Sequence, residues 1–154
     1  MLKNLVGETR KGETMSPKVI PHEPETILIV DDDRWILKTI LRMLTPEGYR
    51  LLQAHNPKTA LQLGGRHDYE INLLLTDVTL PGMYGWHLWE LMKLDYPQLR
   101  VLYISGECDD DIEEPGDASE LILHKPYRSD DLRRAVRKVL DAKHSSRSWV
   151  ASFP

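Results

Sequence analysis

A single cysteine, Cys108, stands in 154 residues, so no internal disulfide can form and a reducing compartment is permitted without being required. No run approaches the ~18 apolar residues of a membrane span. The opening residues MLKNLVGETR lack the apolar core of a signal peptide. Basic residues are not in excess: 20 Lys and Arg stand against 24 Asp and Glu, a net charge of -4. That balance argues against nonspecific nucleic-acid binding, which needs a basic surface. A cytoplasmic protein with neither a membrane nor a nucleic-acid partner is therefore expected. Charged residues at 29% and apolar residues at 41% are ordinary for a globular chain. The length suits one domain with a real core and leaves little for a second.

Bases are missing altogether from residues 107–120, a stretch that carries eight acids. Outside it 16 acids face 20 bases, so the negative charge is mostly one patch. Pro115-Gly116 in its middle predicts that any helix there is short or missing. The spacing of Asp109, Asp111, Glu113, Asp117 and Glu120 mimics a calcium loop. The position that needs glycine holds Glu114, with Pro115 after it, so no calcium site is expected. The stretch reads as an exposed acidic loop, with partner binding as its functional option. Cys108 lies in this acidic setting, which raises a thiol pKa and opposes a reactive thiolate.

Residues 1–25 carry mixed charge, no sustained hydrophobic period and the turn-rich Pro21-His22-Glu23-Pro24, and are expected to be a flexible extension. Residues 142–154 are expected to be a tail, with Trp149 as its one candidate docking side chain. Between them, residues 26–141 alternate aliphatic runs with helical patterns. Strands are predicted over 27–30, 50–54, 71–76, 100–105 and 121–124. Ile36, Leu37, Ile40, Leu41 and Leu44 fall on one helical face. Asn56 and Pro57 are a cap and first-turn proline for a helix that stops at Gly64 and Gly65. A Pro81-Gly82 turn leads into a helix from about 85 to 94. Ser129 is the predicted cap of the last helix, with Asp130 and Asp131 at its positive end and a stripe of Leu132, Ala135, Val136, Val139 and Leu140. Strands alternating with helices predict an α/β fold, a doubly wound five-stranded parallel sheet.

Strands buried on both faces read as unbroken aliphatics, and ligands gather beyond their carboxyl ends. Those ends present Asp31, Asp32 and Asp33 from the first strand, Asp77 from the third, Ser105 from the fourth and Lys125 from the fifth. Carboxylates crowded together repel unless a cation joins them, and hard oxygen ligands favour Mg²⁺. A lysine opposite them suits an arriving phosphoryl group, whose oxygens Ser105, Lys125 and Mg²⁺ would share. The nucleophile would be a carboxylate, since an acyl phosphate is high enough in energy to drive a conformational change.

With ILIVDDD, LLLTDVTLPGMYG, VLYISG and LHKPY in order and near the usual spacing, the chain resembles the receiver domain of two-component response regulators, a flavodoxin-like fold, over residues 26–141. LPGMYG followed by VLYISG looks most like receivers of hybrid histidine kinases. The resemblance implies that Asp77 is the phosphoacceptor, facing a phosphohistidine of a histidine kinase or phosphotransfer protein. It implies that Asp32 binds Mg²⁺ directly, Asp31 through water, and Thr79 through its backbone carbonyl. It further implies that Ser105 and Lys125 contact the phosphoryl group, and that Pro126 is cis and aims the lysine. No independent turnover is expected beyond the domain's own phosphorylation and dephosphorylation at Asp77.

Asp33 reads instead as a helix cap or surface acid, because the family pattern uses two acids there. Trp35, Trp86 and Trp89 read as packing or partner-surface residues, and His55, His67 and His87 as surface histidines. Three positions before the lysine, where receivers commonly carry an aromatic switch residue, stands Ile122. An unusual partner face is expected from it and from the acidic stretch. The leading reading is a stand-alone receiver that signals to an output protein by phosphorylation-dependent contacts. Its alternative is a degenerate receiver acting as a constitutive scaffold, against which the Asp32, Asp77, Ser105 and Lys125 set counts. A hydrolase of the haloacid dehalogenase type would want an acid two residues after the nucleophile, where Thr79 stands.

Overall fold

The computed structural model describes residues 22–106 and 122–142. The acidic stretch, Cys108, Trp149 and most of the N-terminal extension lie outside the described residues. Along the chain come β1 (Thr26–Val30), α1 (Arg34–Leu44), β2 (Arg50–Ala54), α2 (Pro57–Gly64), β3 (Leu73–Asp77), β4 (Thr79–Leu80), β5 (Met83–Tyr84), α3 (Gly85–Lys93), β6 (Arg100–Ser105), β7 (Ile122–His124) and α4 (Ser129–Asp141). The main sheet runs β2-β1-β3-β6-β7, with every neighbouring pair parallel. This is the predicted doubly wound five-stranded sheet, with four helices among the described residues.

The strand sequences explain why both faces are covered. Side chains alternate across a strand, so Ile27 and Ile29 join the apolar cluster under α1 and α4. Leu28 and Val30 join the cluster under α2 and α3. Each such side chain contributes about 1.5–3 kcal/mol on leaving water, and Ile27, Leu28 and Ile29 are wholly inaccessible. The same logic holds for β3, where Leu74 faces one cluster and Leu73 and Leu75 the other. β1 and β3 are therefore held rigidly in the centre, and the residues that follow them are carried to fixed places.

Local signals end these elements largely as predicted. Asp33 caps α1 by accepting the Trp35 N–H at 2.7 Å, and Asn56 caps α2 by accepting the Thr59 N–H at 2.8 Å. β3 starts at Leu73 rather than at Ile71, and the Asn72 side chain just before it accepts the Thr26 N–H at 2.7 Å. Ser129 is not the cap of the last helix: it is the first helical residue, and the cap is Arg128. Asp131 replaces the expected serine contact by reaching back to accept the Arg128 N–H at 3.0 Å, which pulls its carboxyl below the usual range. The Pro81-Gly82 turn, with Gly82 at φ 82, closes the short antiparallel ribbon β4–β5, which the sequence reading did not foresee.

Candidate functional site

Asp31 leaves β1 just where the sheet ends, its N–H donating to the Ala54 carbonyl at 3.2 Å. It is only 1% exposed. One carboxylate oxygen, Oδ1, accepts the Asp33 N–H at 2.8 Å, while Oδ2 is buried with no hydrogen-bond partner. Burial raises its pKa to about 6, the Asp33 N–H opposes that, and the Asp77 carboxylate adds to it. An orphaned, buried, charge-bearing oxygen is costly. A cation beside it would offset that cost.

Asp77 ends β3 and is half-buried, and Asp32 is exposed at the head of the loop after β1. Ligand atoms of Asp31, Asp32 and Asp77 lie within 4.8 Å of one another. Three oxygens from three carboxylates leave coordination positions open, which suits Mg²⁺ and its retained waters. The donor set and the unpartnered Oδ2 thus fit the cation that the sequence implied. Thr79 opens the ribbon two residues beyond Asp77, exposed and paired in register with Tyr84.

Opposite the acids stands the basic half. β6 ends at the buried Ser105, whose carbonyl accepts the Lys125 N–H at 2.8 Å. That bond continues the β6–β7 ladder by one residue and carries Lys125 to the pocket. Its Nζ lies 3.6 Å from Asp77 Oδ2. The Lys125-Pro126 peptide is cis. The Ser105 hydroxyl donates to the Gly106 carbonyl at 3.3 Å, a long bond that leaves it free to turn to a better acceptor. Ile122 is half-buried against the cluster under α2 and α3, with Tyr103 as its register partner.

Two residues were given no role by sequence reasoning. Gly85 begins α3, and its N–H donates to the Val78 carbonyl at 2.7 Å. A Cβ there would meet the Thr76 Cγ2 at 2.9 Å and the Asp77 carbonyl oxygen closer still. The backbone that carries Asp77 therefore requires glycine at this point. Gly85→Ala is expected to destabilise the fold by about 1–3 kcal/mol, typical of overpacking, read as a lower urea midpoint at unchanged m-value. An unshifted midpoint would mean that the helix start can slide. Tyr127 follows the lysine and proline. Burial and then the Asp31 and Asp77 carboxylates push its phenol to about 12, so it stays neutral beside the acids. Its position in LHKPY was the available signal; nothing local marked Gly85.

Trp35, at the first turn of α1, is 76% exposed, whereas Trp86 is buried and Trp89 donates its indole N–H to the Leu99 carbonyl at 3.1 Å. His55, His67 and His87 are all exposed. No described helix is long and apolar enough to cross a membrane.

A doubly wound domain with carboxylates, a hydroxyl and a lysine at the carboxyl edge of its sheet is the class that this geometry defines. The chain belongs to the response regulator receiver domain family, whose sequence profile matches residues 27–137. Sporulation initiation phosphotransferase F of Bacillus subtilis is 31% identical over 121 residues, covering 77% of this chain and 96% of that protein. A putative two-component response regulator of Arabidopsis thaliana, ARR21, is 28% identical over 126 residues, which cover 82% of this chain and 21% of that one. The chain thus spans about a fifth of the Arabidopsis relative. Among solved structures, the signal receiver domain of an HD domain-containing protein from Pseudomonas fluorescens Pf-5 superposes with a TM-score of 0.66 at 28% identity, covering 77% of this chain and 95% of that one. The chain is accordingly a two-component, phosphorelay signal-transduction domain.

Proposed function

We propose that this chain is a stand-alone receiver, spanning residues 26–141, that takes a phosphoryl group from a phosphohistidine onto Asp77 and signals through phosphorylation-dependent contacts with an output protein. Residues 1–25 and 142–154 are its extension and tail. The donor is a histidine kinase or a phosphotransfer protein. The observation that carries this reading is the convergence of Asp31, Asp32 and Asp77 within 4.8 Å, one of their oxygens buried without a partner, beneath the Lys125 ammonium. The single-receiver part draws support from the Bacillus relative, since this chain covers 96% of it.

Asp31, Asp32, Asp77 and the Thr79 carbonyl would hold Mg²⁺, which offsets the charge of carboxylates and phosphoryl oxygens when bound. An Asp77 carboxylate oxygen attacks phosphorus in line as the P–N bond to the donor histidine breaks, and the electron pair returns to the imidazole. Lys125 then exchanges the Asp77 carboxylate for a phosphoryl oxygen. Ser105 turns its hydroxyl from the Gly106 carbonyl to another. Each charge-assisted contact replaces a weaker one, which favours the transferred state. Dephosphorylation is the same site admitting water, so no turnover of an outside substrate is required.

Incubation with acetyl phosphate and Mg²⁺ is expected to add the mass of one phosphoryl group, mapped to Asp77 after reductive trapping and absent when EDTA replaces Mg²⁺. Labelling on another residue, or equal labelling in EDTA, would overturn this reading. A pulldown that recovers the same proteins with phosphorylated and unmodified chain would favour the scaffold.

A further inference from the structure

At the amino edge of the sheet, opposite the acids, lies a cavity of about 330 Å³. That volume falls at the lower end of the range of small-ligand pockets, about 300–1,000 Å³. Its floor is Ile71 and Leu99, both buried where the chain enters β3 and β6. Tyr69 and Tyr96 line it, and the Tyr96 ring is fixed because its hydroxyl donates to the Gly64 carbonyl at 2.7 Å. Glu70 and Asp95, both exposed, also line it, as does His67, whose ring centroid is 5.8 Å from that of Tyr96. Neither carboxylate makes an ion pair or side-chain hydrogen bond among the described residues.

We propose that this cavity is a second binding site, for a guanidinium group laid against the exposed Tyr69 ring and paired with Glu70 and Asp95. Aromatic rings with free carboxylates beside them match a flat cation that stacks through its plane and donates through its edge. An ammonium would use the carboxylates and waste the rings. The protein already shows the affinity of this wall for such a group, because the Arg50 guanidinium stands 4.5 Å over the Tyr69 ring from the adjoining cavity that Glu70 also lines. The source is an arginine side chain of a partner protein or a free guanidinium compound. The proposal does not depend on chemistry at Asp77.

Titration of the ¹⁵N-labelled full chain with N-acetyl-arginine methylamide tests it. Saturable shifts of the Tyr69–Ile71 and Asp95–Leu99 amides are expected, with a millimolar Kd. The neutral isostere N-acetyl-citrulline methylamide is expected to shift them negligibly. Glu70→Gln combined with Asp95→Asn, at exposed positions that leave the fold intact, is expected to weaken binding about tenfold or more, in line with loss of charge-assisted contacts. Tenfold tighter binding of acetyl-Gly-Gly-Arg-Gly-Gly-amide would assign the site to a partner chain, and equal binding to a free compound. Shifts that fail to saturate, that appear equally with the citrulline compound, or that persist unchanged in the double variant would overturn the site. Labelling by acetyl phosphate in the same samples reports on Asp77 separately.

Discussion

Asp77→Asn is expected to abolish labelling by acetyl phosphate while leaving the fold in place. The amide nitrogen and oxygen share a lone pair by resonance, so the substitution removes the anionic nucleophile and keeps the shape. Stability should change little, for two opposing reasons. Asp77 loses its pairing with Lys125, but at 3.6 Å and with both side chains partly exposed that pair is worth at most about 1 kcal/mol. In return, the Asp77 charge no longer repels the buried Asp31. The Asp31 pKa should therefore fall below its value of about 6, which carboxyl ¹³C chemical shifts followed against pH would show. Intact mass spectrometry checks the first half of the expectation. A residual gain on the Asn variant would place a second acceptor in the cluster, with the exposed Asp32 the first candidate.

The parts of this protein that were legible in its sequence share a physical origin. Ile27 to Val30 and Leu73 to Leu75 are unbroken aliphatics because both faces of a central parallel strand are buried. Such runs fix the sheet, and the sheet fixes where the acids that follow must lie. Asp31 and Asp77 came together for that reason alone. Asn56 and Pro57 were legible because a cap and a first-turn proline act within one turn of chain.

The rest depends on contacts that a linear reading does not contain. Whether Ser129 or its neighbour caps α4 turns on Asp131 reaching back to the Arg128 N–H. The β4–β5 ribbon is two residues long on each side, too short for any alternation to announce it. Gly85 is required by the approach of the helix start to the Asp77 carbonyl, eight residues and a turn away, and glycine there reads equally well as a loop residue. The unequal partnering of the two Asp31 oxygens, which gives the acid cluster its meaning, is a matter of burial that composition cannot supply.

Asp31→Asn is expected to stabilise the metal-free protein at neutral pH by about 3 kcal/mol, which is the cost of ionising a carboxyl whose pKa is raised from 3.8 to about 6 in the folded state. The sign follows from proton uptake. Between pH 4 and 6 the folded wild type holds a proton that the unfolded chain has released, so its stability falls as pH rises through this window. Above about pH 6 the penalty is complete, and below the unfolded value of 3.8 it is gone. The Asn variant carries no such charge, so the two proteins should converge in urea midpoint near pH 4 and separate towards pH 7. Mg²⁺ should close most of that gap at neutral pH. A ligand present at about 100 times its Kd stabilises the state that binds it by about 2.7 kcal/mol, a gain open to the wild type and largely closed to a variant without the Asp31 carboxylate. Urea unfolding from pH 4 to 8, with EDTA and then with Mg²⁺, separates these terms. A variant less stable than wild type in EDTA at pH 7 would mean that Lys125 and the Asp33 N–H already satisfy the buried charge. The acid cluster would then be a settled part of the fold rather than a site held ready for a cation.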